Sequence, residues 1–101
     1  MESSLRNKYL VEFIGTFFFL YVILATGEAL YIGVALIVAI MVGGPISGGM
    51  FNPAVSVMMA ANGTLSMRDL PIYIASQVAG GLLALILHKN VNLKSFSLLK
   101  A

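Results

Sequence analysis

The chain has no cysteine, a single histidine and very little charge. Without cysteine there is no disulfide framework, no thiol chemistry and no cysteine-based metal site. His88 stands alone at the end of an apolar run, so a histidine metal site has no second ligand, and the residue reads as an interface side chain. No metal or other cofactor is expected. Charged residues make up 10% of the sequence, against about 25% in an ordinary soluble domain. From Tyr9 to Arg68 the only ionisable acids and bases are Glu12, Glu28 and Arg68. A soluble fold of this size must cover its surface with polar groups, and this chain cannot. The net charge of +2 is small, and no basic face with interleaved aromatics exists, which excludes nucleic acid as a partner. Glu12, Glu28 and Asp69 have no convergent base, nucleophile or metal partner, so no enzyme is expected.

What is present is apolar: 59% of the 101 residues are hydrophobic. The first run, from about Tyr9 to Thr26, covers about 27 Å as a helix, close to the roughly 30 Å hydrocarbon core of a bilayer. Arg6 and Lys8 before it and Ala25-Thr26-Gly27 after it imitate a signal peptide. Glu12, Gly15 and Thr16 argue against cleavage, as does the apolar character of the rest, and the segment is kept as a span. Gly27-Glu28 punctuates it, placing a charge in water or headgroups. A second span, from about Ala29 to Gly44, must return antiparallel through so tight a connection. A third runs from Leu70 to His88 and is closed by Lys89-Asn90. Asp69 or Ser66 can cap its start, and Pro71 is tolerable in the first turn. The expectation is an all-α, multi-pass integral membrane protein in contact with the lipid bilayer. No internal repeat is visible.

Between the second and third spans lies a different kind of segment. Gly43-Gly44-Pro45-Ile46-Ser47-Gly48-Gly49 reads as too flexible to continue a helix. Asn52-Pro53 follows, then an apolar, helix-favouring stretch that stops at Asn62-Gly63. Asn suits the N-cap, Pro the first helical position, and Gly the residue beyond the end. A helix over 53–62 is about 15 Å long, half a bilayer. An apolar length of that order points to a re-entrant segment, with the glycine-rich backbone lining a wet cavity. The alternative is a short helix lying in the interface plane. The tail, 90–101, alternates lysine with apolar residues and reads as a surface-lying or frayed end.

Three blocks carry a resemblance: Glu12-Phe13-Ile14-Gly15-Thr16-Phe17, then Gly44 to Val55 with Asn52-Pro53-Ala54 at its end, then Ala75-Ser76-Gln77-Val78-Ala79-Gly80. In this order and spacing they resemble the major intrinsic protein (aquaporin and glycerol facilitator) family, over nearly the whole chain to about His88. In that family two such three-helix halves are fused in inverted orientation, and each sends a short helix to the midplane. The resemblance implies that residues 1–89 form one half-unit: three spans plus one re-entrant half-helix. It implies Asn52, Pro53 and Ala54 at the pore, backbone carbonyls of Gly48, Gly49, Met50 and Phe51 along the lumen, and Glu12 and Gln77 bracing the loop. The bare reading of Glu12 is an interfacial carboxylate. A half-helix pointing its partially positive N-terminus at the midplane repels cations there, and the Asn52 amide would donate to a passing oxygen. Gly15, Gly33, Gly80 and Gly81 are expected where helices approach closely, and Phe17, Phe18 and Phe19 as lipid-facing or packed bulk.

The sequence departs from the family at two positions. Met50 stands where a histidine is common, and Val55 where the second half usually carries an arginine. Selectivity-ring positions carried over by distance fall at Ile32, Ile40, Gly49 and Val55. Such a ring is apolar and wide, suited to small uncharged solutes such as glycerol, urea or ammonia as well as water.

One half cannot close the family's pore. Two copies could, inserted in opposite orientations as an inverted homodimer or a higher oligomer. Arg6, Lys8 and Arg68 fall on one side and Lys89, Lys94 and Lys100 on the other, and Lys/Arg bias sets orientation. The expected function is a passive channel for water or small neutral solutes. A second reading is a truncated family member that binds full-length channels and modulates their assembly. A third, a small lytic membrane protein, accounts for the size but not for Asn52-Pro53-Ala54.

Overall fold

The structure is a computed structural model and describes residues 2–91. Its helices are α1 (Glu2–Thr26), α2 (Ala29–Ser47), α3 (Pro53–Ala61) and α4 (Leu70–Asn90). Three of them are long and apolar enough to cross a membrane: Ser4–Thr26, Ala29–Ser47 and Leu70–Asn90. The all-α class with three spans and one short helix is as expected, and the boundaries shift for physical reasons. α1 begins well before Tyr9 because no glycine or proline interrupts residues 2–14. Val91 adopts an extended conformation and ends α4. The tail from residue 92 onward, with Lys94 and Lys100, lies outside the described residues.

The largest correction concerns Gly43 to Ser47. This stretch continues α2 instead of breaking it, with Pro45 inside the last turn. Proline removes one backbone donor and crowds the preceding turn, but tertiary contacts offset both effects. The Ser47 hydroxyl reaches Glu12 Oε2 at 2.7 Å and the Gly43 carbonyl at 3.3 Å. Gly48 then closes the helix at φ 91°, a left-handed cap, and its N–H donates to the Gly44 carbonyl at 2.8 Å. Gly43 is required for another reason: a Cβ there would lie 2.8 Å from Val11 Cγ1 and 2.9 Å from Phe51 Cζ.

α1 is the central element, packed against both α2 and α4, and α3 lies against α4. α1 and α4 run parallel, since their contacts advance together. Tyr9 meets Tyr73 edge-on at 6.1 Å, Glu12 meets Gln77, and Tyr21 meets His88 edge-on at 6.2 Å. Glycine sets the spacing: a Cβ at Gly80 would sit 2.6 Å from the Phe13 carbonyl, and one at Gly81 2.8 Å from Leu20 Cδ1. Close backbone approach through small residues is how helices associate without a hydrophobic drive in lipid. Gly33 corrects the expectation for that group, with nothing within 4 Å of a Cβ built on it. Among the three phenylalanines, Phe18 is exposed, and Phe17 and Phe19 are half-buried.

Candidate functional site

The loop between α2 and α3 folds down onto α1. Phe51 takes φ 53°, in the left-handed region, a conformation uncommon for a bulky residue. Its ring fills the notch left by Gly15 and Gly43, where any side chain would overlap it. Gly15 is the midpoint of the Ser4–Thr26 span, so the loop reaches the middle of the apolar slab. α3, with nine residues and about 14 Å long, then returns to the end where α1 and α4 begin. There the Tyr9 hydroxyl donates to Asp69 Oδ1 at 2.8 Å. α3 is therefore re-entrant by geometry, with its N-terminus at mid-depth.

Glu12, fully buried, receives this loop. Its Oε1 accepts from the Phe51 N–H at 2.8 Å and from Gln77 Nε2 at 2.8 Å. Its Oε2 accepts from the Ser47 hydroxyl at 2.7 Å and from the Met50 N–H at 3.1 Å. Gln77 Nε2 also donates to Ser56 Oγ on α3 at 2.7 Å. The Tyr73 hydroxyl donates to the Ser47 carbonyl at 2.8 Å, and the Gly49 N–H to Ser47 Oγ at 3.2 Å. One acid on α1 thus ties together the end of α2, the loop, α3 and α4.

Asn52 caps α3. Its Oδ1 accepts the Ala54 N–H at 2.8 Å, and its carbonyl accepts from Ser56 N–H and Oγ at 2.9 and 3.1 Å. With Oδ1 engaged, the Nδ2 donors form the free end of an exposed side chain. Among the described residues no protein donor bonds the carbonyls of Gly48, Gly49, Met50 or Phe51. Pro53 and Ala54 are exposed beside Asn52. Asn52 and Pro53 border an open groove of about 540 Å³ that runs up between the C-terminal halves of α1 and α4, from Thr16 and Gln77 to Ile23 and Leu85. Thr16 Oγ1 and Gln77 Oε1, both buried, have no hydrogen-bond partner among the described residues.

The ring candidates do not all fall at one level. Gly49 lies against the backbone of Ile40 and Gly44, 3.4 and 3.2 Å from a Cβ built on it, so Ile40 and Gly49 are neighbours. Ile32 is eight positions earlier on α2, about 12 Å away along the axis. Val55 is half-buried on α3 against the cluster of Met50, Ala60, Leu65 and Tyr73. Ser47, Ser56, Tyr73 and the Tyr9–Asp69 pair were not singled out in the sequence. Their signal was present: a polar group inside an apolar membrane segment needs a partner, and Ser47 and Ser56 lie near the helix ends that bracket the loop.

A polar, buried brace that holds a short helix among three apolar spans marks an integral membrane protein. The family model for the major intrinsic proteins matches residues 2–98, and the chain belongs to that family. It is 42% identical over 87 residues to glycerol uptake facilitator protein-like 6 of Lactiplantibacillus plantarum, covering 77% of this chain and 40% of the relative. It is 46% identical over 50 residues to aquaglyceroporin AqpS of Rhizobium meliloti, covering 50% of this chain and 22% of the relative. Human aquaporin-9 is 35% identical over 95 residues, covering 79% of this chain and 32% of the relative. The chain therefore spans about two fifths or less of the length of these relatives. No solved structure gives a significant match.

Proposed function

We propose that this chain is a half-channel that conducts water and small uncharged solutes passively, its pore closed by a second copy inserted in the opposite orientation. The observation that carries this reading is Asn52: an amide donor at mid-depth, exposed on an open groove, at the N-terminus of a braced half-helix. The α3 dipole puts partial positive charge at that point, which disfavours cations while leaving neutral hydrogen-bonding solutes unaffected. Free carbonyls from Gly48 to Phe51 supply acceptors beside it. Glu12 and Gln77 act as the brace that holds Asn52 in place. The groove beside Asn52 is walled by Phe19, Leu20, Val78 and Leu82 and by no arginine, which favours glycerol-sized solutes alongside water.

Support for the inverted pair comes from the groove and from charge. A pore wall open to lipid along its length must be covered, and Thr16 and Gln77 are among the residues lining that groove. In the sequence Arg6, Lys8 and Arg68 come before the last span and Lys89, Lys94 and Lys100 at or after its end, a balance that gives little instruction for one orientation. Reconstitution in proteoliposomes tests the reading, with stopped-flow shrinkage for water and swelling for glycerol. Rates above empty vesicles, lost or made cation-leaky by Asn52→Asp, are expected. Rates equal to empty vesicles for the pure chain, recovered only with a full-length family member, would instead establish the assembly-modulating alternative.

A further inference from the structure

A second groove, of about 670 Å³, lies between α1 and α4 on the N-terminal half, on a different face of α4 from the Asn52 groove. We propose that it holds one anionic phospholipid, with the phosphate at Arg6 and an acyl chain lying between Leu10 and Phe13 of α1 and Ala75 and Ala79 of α4. The proposal rests on membrane insertion alone and not on conduction.

Depth is the first argument. Arg6 is nine positions from Gly15, the midpoint of the span, or about 14 Å along the helix, which is the edge of a hydrocarbon core roughly 30 Å thick. Phe13 lies about 3 Å from that midpoint, and Ala79 precedes Gly80, which packs on the Phe13 carbonyl. The groove thus runs from headgroup level to the midplane, the depth of one leaflet. Its α1 side chains grade the same way, from Arg6 through Leu10 to Phe13, while Ala75, Ser76 and Ala79 of α4 border the deeper part.

Charge is the second argument. Arg6 is exposed and can turn its guanidinium to the headgroups while its stem covers apolar surface. Planar guanidinium is suited to bidentate phosphate contacts. At this end Arg6, Lys8 and Arg68 stand against Glu2 and Asp69, and Asp69 is buried and paired with Arg68 Nε at 3.5 Å. Arg68 thus takes up the Asp69 charge, and the excess of cations at this end favours an anion at headgroup level.

The test uses the full chain purified in detergent, with lipid retention counted by native mass spectrometry. Phosphatidylglycerol is offered against phosphatidylcholine of the same acyl composition. Wild type is expected to retain one phosphatidylglycerol in preference to phosphatidylcholine. Arg6→Gln, a change at an exposed position, should lower phosphatidylglycerol retention about fivefold, the weight of one basic side chain at an anionic surface. Ala79→Leu, checked for unchanged helicity, should lower retention of both lipids by filling the groove, and Lys89→Gln at the opposite end should change nothing. Equal retention of the two lipids, or an Arg6→Gln protein that retains phosphatidylglycerol like wild type, overturns the proposal. So does full displacement of the lipid by inorganic phosphate, which would mean an anion site without a chain. Because the protein has no cysteine of its own, Ala75→Cys adds a clean control. An intermolecular disulfide forming through it in vesicles would show that a second copy covers the groove, and overturns the proposal as well.

Discussion

The Glu12 carboxylate and the Phe51 amide meet at 2.8 Å across 39 positions of sequence. That contact converts a glycine-rich loop into a fixed part of a membrane fold. Backbone groups at membrane depth survive only when something satisfies them, and Glu12 does so for Met50 and Phe51 together, while Ser47 and Gln77 complete its four acceptor contacts.

Glu12→Gln is the sharpest probe of that brace. An amide presents one oxygen and one NH₂, so one pair of donors, either Ser47 with Met50 or Phe51 with Gln77, would face another donor. A buried unsatisfied group costs about 1–3 kcal/mol, and the loss is expected in that range by thermal unfolding in detergent. Hydrogen exchange at the Met50 and Phe51 amides should accelerate while α1 and α4 stay protected. Unchanged protection there would mean that the loop is held by the Phe51 ring alone.

The glycines separate into two kinds. Gly80→Ala pushes a methyl into the Phe13 carbonyl, backbone that cannot rotate away, so α1 and α4 must part at a cost of about 1–3 kcal/mol, as for overpacked cores. Gly33→Ala meets open space and should stabilise α2 by about 0.5–1 kcal/mol through reduced backbone freedom in the unfolded chain. Melting curves of the two proteins in one detergent should shift in opposite directions.

That contrast shows how much the sequence disclosed. The spans were readable because hydrophobic length is a local property, and α3 because Asn52-Pro53 and Asn62-Gly63 mark its ends. What local reading missed is what tertiary contacts decide. Gly43 to Gly49 reads as too flexible to continue a helix, yet α2 runs on to Ser47, which is bonded to Glu12 on another helix and holds the last turn together. Of the two cap candidates for α4, Asp69 makes no side-chain cap bond and turns to Tyr9, while Ser66 accepts with its carbonyl and hydroxyl; only tertiary contacts choose between them. Gly33 had the same look as Gly15 and Gly80, and only the positions of the neighbouring helices distinguish them.

Asp69, just before α4, gives the fold a dependence on acid. Burial pushes its carboxyl up, but hydrogen bonds with Tyr9 and Ser66 and the Arg68 charge outweigh it and hold the group below its ordinary 3.8. A carboxyl depressed in the folded state adds stability that is present above the unfolded value and lost as pH falls through the folded one. Tyr9→Phe removes one of the donors, so the folded value rises and the acid loss narrows. Asp69→Asn removes this contribution altogether. Melting temperature followed from neutral to acid pH should show the steepest acid-side fall in wild type, a shallower one in Tyr9→Phe, and the shallowest in Asp69→Asn. Three parallel curves would show that Asp69 does not titrate with folding.

Orientation decides whether two of these chains can make a pore. Arg6, Lys8 and Arg68 belong to the end where α1 and α4 begin, and Lys89 to the end where α4 stops, with Lys94 and Lys100 following it in the sequence. Lysines and arginines within about 15–20 residues of a span bias it toward the cytoplasmic side, and here the two ends oppose each other. Single cysteines placed at Ser4 or at Asn90 of this cysteine-free chain should therefore be labelled from both faces of the membrane. Changing Lys89, Lys94 and Lys100 to glutamine leaves the cations at the other end unopposed, and labelling should collapse to one face for each position. Conduction should fall with it, because copies that all point one way bring no second half-helix to meet Asn52. Uniformly oriented chains that still pass glycerol at the wild-type rate would rule out the inverted pair and leave each pore to be closed by copies in the same orientation.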